Sequence, residues 1–134
     1  MFSENEQKEI VKVLEKHNRL DLSNNLECEE VGNILYEETK ILTAWDVNFR
    51  DVYIEYLFYS EIGARLNDIG CCHNLGLYYH YDSNEYYYDT NKERAYLYMR
   101  KVIELGSWPD SMILSEMVEL GDPLAIECIN NMDY

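Results

Sequence analysis

Residues that interrupt helices are scarce in this sequence of 134 residues, which holds only two prolines and six glycines. Sandwiches and barrels of short strands need frequent turns, so the scarcity argues against them and favours long helices. The sequence also lacks an apolar run of about 18 residues, the length that a membrane-spanning helix needs. Its polar, acidic start lacks the basic and then apolar layout of a signal peptide, so we expect a cytoplasmic protein.

Basic residues are also few, with 11 lysines and arginines against 26 acids, so the net charge is −15. Residues 107–134 carry six acids and no Lys or Arg, and residues 20–49 carry seven acids and one base. Such a field repels nucleic acids and anionic membranes and attracts basic partners. We therefore expect neither a nucleic acid nor a membrane as partner. The alternative interpretation is that the acidity only keeps a small protein soluble.

Motifs of catalysis and cofactor binding are absent from the sequence. It has three histidines, and it contains no H-E-x-x-H, no glycine-rich phosphate loop and no nucleophile motif, so we expect neither an enzyme nor a cofactor. The four cysteines do not form a C-x-x-C pair, which favours buried thiols. A metal or small-molecule sensor built on Cys72, His73 and His80 is a further alternative, although no second pair of ligands accompanies them.

The clearest pattern that is present is a pair of helices over residues 67–106, joined by a tyrosine-rich loop. Asn67 or Asp68 can cap the first helix, and Gly106 suits the end of the second. A glycine inside the first helix, Gly76, indicates that another backbone comes close. The second helix has apolar residues at i, i+3, i+4, i+7 and i+8, which are Ala95, Tyr98, Met99, Val102 and Ile103.

This pair resembles the SLR family, the short Sel-like relatives of tetratricopeptide repeats. The matching positions are Asn74, Leu75, Gly76 and Tyr79 in the first helix, and Ala95, Tyr98, Lys101 and Gly106 in the second. The sequence departs from the family pattern where Asn67 replaces glycine and Cys71 replaces alanine. The resemblance implies an α-helical stack that binds other proteins.

Partial copies of the pair lie on both sides of it. A shift of 39 residues makes residues 51–66 the second helix of an earlier repeat, and residues 121–125 resemble the opening of a later one. Residues 109–120 provide one helix where a full repeat would have two. We therefore predict an all-α fold of six or seven helices, an irregular stack of antiparallel helix hairpins. It would form one domain over 1–134, with a repeat-like core at about 51–134 and N-terminal helices in 4–42.

The N-terminal part predicts two helices. Ser3 and Glu6 have the spacing of a capping box, which predicts a helix from there to about His17. A second helix is predicted over about 23–39, with an acidic run on its outer face formed by Glu27, Glu29, Glu30, Glu37 and Glu38. This run is either a solvated face or a docking surface for a basic partner.

In its small size and acidity, the sequence also resembles the immunity proteins of bacterial contact-dependent growth inhibition, which neutralise toxin domains. This resemblance implies a protein-binding inhibitor that occludes a basic toxin domain, of the nuclease class, with an acidic surface. The loop at 81–89 has three consecutive tyrosines, a residue type enriched at binding hot spots. The alternative function is an SLR-type adaptor or scaffold that binds a peptide or helix of a partner. The predicted partner-binding residues are Asp82, Glu85, Tyr86, Tyr87, Tyr88, Asp89, Trp108, Asp110, Glu116, Glu119 and Asp122.

Overall fold

A computed structural model describes residues 1–44, 49–80 and 91–131 of the chain, and side chains are described outside 49–51 and 53. The predicted all-α class is confirmed, because these residues form seven α-helices and no strand. The helices are α1 Glu4–Lys16, α2 Glu29–Leu42, α3 Phe49–Arg65, α4 Ile69–His80, α5 Lys92–Glu104, α6 Ser111–Glu119 and α7 Pro123–Asn130, and a 3-10 turn covers Leu20–Asn24.

The chain divides into two compact units, Met1–Cys71 and Cys72–Tyr134, and the boundary falls within α4. In the first unit α2 packs against both α1 and α3. Its core consists of buried apolar side chains, each of which contributes about 1.5–3 kcal/mol on burial. These are Phe2, Ile10, Val13, Leu14, Val31, Leu35, Tyr59 and Ile62.

The capping residues predicted at the start of the chain make the expected hydrogen bonds. The Ser3 hydroxyl accepts a hydrogen bond from the Glu6 backbone N–H at 3.1 Å, and the Glu6 carboxylate accepts one from the Ser3 N–H at 2.9 Å. This confirms the capping box at the start of α1. The predicted second helix, by contrast, begins too early: residues 20–24 form the 3-10 turn, and α2 starts only at Glu29, after Cys28, which makes no side-chain cap.

Glu38 corrects the predicted acidic face of α2, because its side chain is buried and not exposed. One carboxylate oxygen pairs with Lys16 Nζ at 2.7 Å, and the other lies 2.9 Å from His17 Nε2. Lys16 is the last residue of α1 and His17 its C-cap, so the buried carboxylate joins the end of α1 to α2. The other four glutamates of the run are exposed, as predicted.

The second unit begins within α4, which forms a hairpin with α5. The Tyr79 and Tyr98 rings stack with centroids 6.1 Å apart and planes 9° apart. Gly76 faces Met99, whose Cε lies 2.5 Å from where a Cβ on residue 76 would be. The nearest neighbour of this glycine is therefore the Met99 side chain, and the approach of another backbone stays a prediction.

The remaining helices of this unit complete its core. Helices α5, α6 and α7 pack against one another, and a single helix separates Gly106 from Gly121, as the sequence indicates. The fully or almost fully buried side chains of these helices are Ala95, Met99, Val102, Ile113, Leu114, Met117 and Ala125.

Four helices end in the same way. Asn18, Asn67, Gly106 and Gly121 have positive φ angles of 59°, 62°, 87° and 80°. At each end, this residue donates its N–H to the carbonyl three residues back, and the next residue donates to the carbonyl five back, at 2.7–3.1 Å. This is the Schellman arrangement, in which glycine and asparagine are the favoured residues. Asn67 thus adopts the conformation that glycine adopts at 106 and 121.

At two of these helix ends, the next residue is an aspartate that caps the following helix. Asp68 follows Asn67 and accepts a hydrogen bond from the Cys71 N–H at 2.9 Å. Asp122 follows Gly121 and accepts one from the Ala125 N–H at 3.1 Å. Cys71 and Ala125, which occupy equivalent places after the two turns, are both fully buried.

Candidate protein-binding surface

Helix α6 presents one buried face and one exposed face. Ile113, Leu114 and Met117 lie in the core. Met112, Ser115 and Glu119 have the spacing i, i+3 and i+7, which places them on one side of a helix, and all three are exposed. We group these three residues with Trp108, an exposed residue that precedes the helix, and call the set the α6 surface: Trp108, Met112, Ser115 and Glu119.

Large apolar side chains are exposed on the α6 surface. Trp108 is 42% exposed and Met112 is 60% exposed. Tryptophan is the residue most enriched at binding hot spots, and methionine adapts its shape to irregular partners. The surface therefore combines apolar anchors with the carboxylate of Glu119.

The segment before α6 is held in place at both ends. The Asp110 carboxylate accepts hydrogen bonds from the Met112 and Ile113 N–H groups at 3.0 and 3.1 Å, which satisfies the first turn of the helix. The half-buried His73 ring, on α4, hydrogen-bonds to the Trp108 backbone carbonyl. Burial lowers the pKa of His73 below its ordinary 6.5, despite the opposing effects of this hydrogen bond and of the Asp110 charge. The hydrogen bond from His73 therefore links α4 to the segment before α6.

Glu116 lies at the edge of the α6 surface and is bound by three other side chains. Its oxygens lie 2.9 Å from His80 Nε2, 2.8 Å from the Tyr96 hydroxyl and 3.9 Å from Lys92 Nζ. Burial acts to raise the pKa of Glu116, but hydrogen bonds from Tyr96 and His80 outweigh it and leave the pKa lowered. Burial and the same carboxylate raise the pKa of Tyr96 to about 12. The charge of Glu116 thus ties α6 to α4 and α5.

Asp122 is similarly occupied within the fold. One oxygen caps α7 by accepting from the Leu124 and Ala125 N–H groups at 3.1 Å, and the other accepts from the Arg100 guanidinium. Burial acts to raise its pKa, but Arg100 and the two backbone donors lower it overall. Arg100 also lies with Asp122 in a shallow pocket that includes Tyr96 and Leu120.

The predicted binding residues therefore fall into three groups. Trp108 and Glu119 are exposed on the α6 surface. Three acids make intramolecular bonds that hold helices in place: Asp110, Glu116 and Asp122. The remaining six lie outside the described residues: Asp82, Glu85, Tyr86, Tyr87, Tyr88 and Asp89.

Sequence reasoning missed Met112, although its signal was available. Met112 lies seven residues before Glu119, and the apolar residues that follow it, Ile113 and Leu114, are the ones that face the core. Plotting residues 111–119 on a helical wheel would place Met112 on the side of Ser115 and Glu119. The start of the helix, which Asp110 fixes as N-cap, is the information needed to do so.

Most lysines and arginines of the chain form ion pairs within it. At least seven of the 11 lysines and arginines form ion pairs: Lys12, Lys16, Arg19, Lys40, Arg65, Lys92 and Arg100. By contrast, several exposed glutamates make no ion pair with another described residue: Glu4, Glu15, Glu29, Glu55, Glu93, Glu104, Glu119 and Glu127. The negative charge left over is therefore at the surface, where a partner can reach it.

Comparison with protein-family models, with curated proteins and with solved structures gives no match. The surface must therefore be interpreted from its own chemistry.

Metal binding finds no support in the three described ranges, where no group of three His, Cys, Asp or Glu side chains could hold an ion. The residues of the proposed sensor have different surroundings: Cys72 is fully buried, His73 bonds to the Trp108 backbone and His80 contacts Glu116. None of the described helices is both long enough and apolar enough to cross a membrane.

Proposed function

We propose that this protein is an inhibitor that binds a basic protein, an immunity protein that neutralises a toxin domain of the nuclease class. The observation that carries the proposal is the distribution of charge. At least seven of the 11 bases pair within the chain, while exposed glutamates remain without an ion-pair partner among the described residues. A nuclease attracts nucleic acid to a positively charged surface, and an acidic protein is attracted to the same surface.

In this proposal the α6 surface makes the central contact. Trp108 and Met112 supply apolar area that a partner can desolvate, and Glu119 meets a lysine or arginine of the toxin. Because these groups stand on a capped helix and on a backbone segment bonded to His73, little conformational freedom is lost on binding. The surrounding carboxylates accelerate association and contribute less to how long the complex lasts.

The test begins with the tagged protein purified from its native host at low salt, and with mass spectrometry of what accompanies it. We expect one basic partner in stoichiometric amount, encoded by a gene beside that of this protein. The Glu119→Lys and Trp108→Ala variants should bind this partner at least about tenfold more weakly, as expected for hot-spot positions. Glu104→Lys is the matched control, because Glu104 is an exposed glutamate of α5 outside the α6 surface.

Equal weakening by the Glu119 and Glu104 variants would remove the α6 surface from the interface. An accompanying protein without a basic domain would overturn the inhibitor function itself.

A second candidate is an SLR-type adaptor that binds a peptide or helix. It is favoured by the two equivalent turns, in which Asn67–Asp68 and Gly121–Asp122 each end one helix and cap the next. Tandem turns of this kind are expected in a helical repeat, and repeats present extended binding surfaces. An adaptor would retain its partner at about 0.5 M salt, where surface charges are screened within about 4–5 Å.

A further inference from the structure

A groove in the first unit lies between α1 and α3, and none of its lining residues belongs to the predicted binding set. It has a volume of about 230 Å³ and is lined by Asn5 and Glu9 of α1 and by Ile54, Glu55, Phe58 and Tyr59 of α3. Sites that enclose a whole small ligand usually measure about 300–1,000 Å³. The groove therefore fits part of a larger partner, such as one side chain.

The floor of the groove is aromatic. The Phe58 and Tyr59 rings meet edge to face with centroids 5.5 Å apart, and Tyr59 belongs to the core of the unit. Ile54, another lining residue, is 64% exposed. An aliphatic stem or a flat cation can rest on such rings, whose faces carry partial negative charge.

Two carboxylates flank this floor. Glu9 is partly buried, accepts a hydrogen bond from Tyr59 and pairs with Lys12 at 3.2 Å. Lys12 is largely exposed, and an ion pair with an exposed lysine is weak. Glu55 is exposed and pairs with no other described residue. Burial raises the pKa of Tyr59 to about 12, and the charges of Glu9, Glu55 and Glu38 add to the effect. The field in the groove is therefore negative.

We propose that the groove between α1 and α3 binds an arginine side chain of a basic partner protein. The guanidinium group would lie against Phe58 and Tyr59 and donate hydrogen bonds to Glu9 and Glu55. Arginine fits better than lysine because its planar group has five donors, stacks on aromatic rings and is more weakly hydrated. A second copy of this chain is disfavoured because each copy carries a net charge of −15.

This inference rests on the proposed function for the identity of the partner, but the groove can be tested without that partner. The probe is N-acetyl-arginine amide, titrated into the ¹⁵N-labelled full chain at constant ionic strength and followed by NMR. N-acetyl-lysine amide and N-acetyl-norleucine amide are titrated in parallel. The expected result is saturable shifts at the amides of Ile54, Glu55 and Phe58, with affinity in the order arginine, lysine, norleucine.

Glu55→Gln should weaken arginine amide binding at least threefold, because it removes one of the two flanking charges. Glu15→Gln, the same change at an exposed glutamate of α1 outside the groove, should leave the affinity unchanged. Shifts that do not saturate, norleucine binding as tight as arginine, or equal weakening by both variants would overturn the inference.

The two proposals fail separately. If the arginine amide binds the groove as described but no basic protein accompanies the chain in its host, the inhibitor function fails and the groove chemistry stands. If a basic partner is found and neither the amide nor Glu55→Gln gives the expected result, the groove inference fails alone.

Discussion

The thiol of Cys71 occupies the space in which residue 63 would carry a side chain. A Cβ built on Gly63 would lie 2.2 Å from Cys71 Sγ and 3.0 Å from Cys71 Cβ. Both residues are buried, and they bring α3 against the start of α4 within the first unit. Glycine at 63 and a small residue at 71 are therefore required together.

Gly63→Ala should lower the free energy of unfolding by about 1–3 kcal/mol. The cost of overpacking exceeds the gain of up to about 1 kcal/mol that alanine brings through its higher helix propensity. In a Cys71→Ala background the same change should cost less, because the sulfur is gone. Urea unfolding of the four proteins measures the coupling. A Cys72→Ala background controls for loss of a buried thiol, and an equal cost of Gly63→Ala in all backgrounds would contradict the contact.

The helix ends give a second prediction. Gly121 has a φ of 80° and open space around it, so Gly121→Ala should cost about 1–2 kcal/mol through backbone strain alone. Asn67→Gly should leave stability unchanged or slightly raised, because exposed Asn67 already has a φ of 62°. Asn67→Ala should cost about 1 kcal/mol. Urea unfolding tests all three, and a neutral Gly121→Ala would show that this turn does not have the left-handed conformation.

The burial of His73 predicts a dependence of stability on pH. The pKa of His73 is lowered in the folded protein, so the unfolded chain binds more protons between that value and 6.5. Stability should fall as pH falls through this window, and the loss should be complete below the folded-state pKa.

His73→Gln should therefore lose less stability than the wild type when the pH is lowered from about 8 to about 5. Urea unfolding at both pH values gives the comparison between the two proteins, which differ only at residue 73. A larger loss in the variant would mean that the pKa of His73 is raised and not lowered.

Features set by neighbouring residues were predictable from the sequence, and features set by distant residues were not. The capping box at Ser3 and the turns at Gly106 and Gly121 depend on hydrogen bonds within a few residues. Glu38 is predicted to face solvent, but its partners are Lys16 and His17, which lie 22 and 21 residues away in the sequence. Likewise, Gly76 predicts that another backbone comes close, but nothing near it in the sequence indicates that its nearest neighbour is the Met99 side chain.

The candidate site was predictable to a similar extent. Trp108 and Glu119 are exposed, as a binding role requires, whereas Asp110, Glu116 and Asp122 are bonded within the fold. An acid that precedes a helix by one residue is also a potential N-cap, and composition cannot distinguish the two uses. The groove at Glu9 and Glu55 joins helices 46 residues apart in sequence, which no local pattern indicates.

The central claim is that a negative surface binds a basic protein, and association kinetics test it most directly. The measurement is the association rate constant of the purified partner with the full chain, by surface plasmon resonance at about 0.05 M and about 0.5 M salt. We predict that the rate constant falls at least about tenfold at the higher salt, while the dissociation rate changes by less than about threefold. An association rate constant that is the same at both salt concentrations would contradict the account.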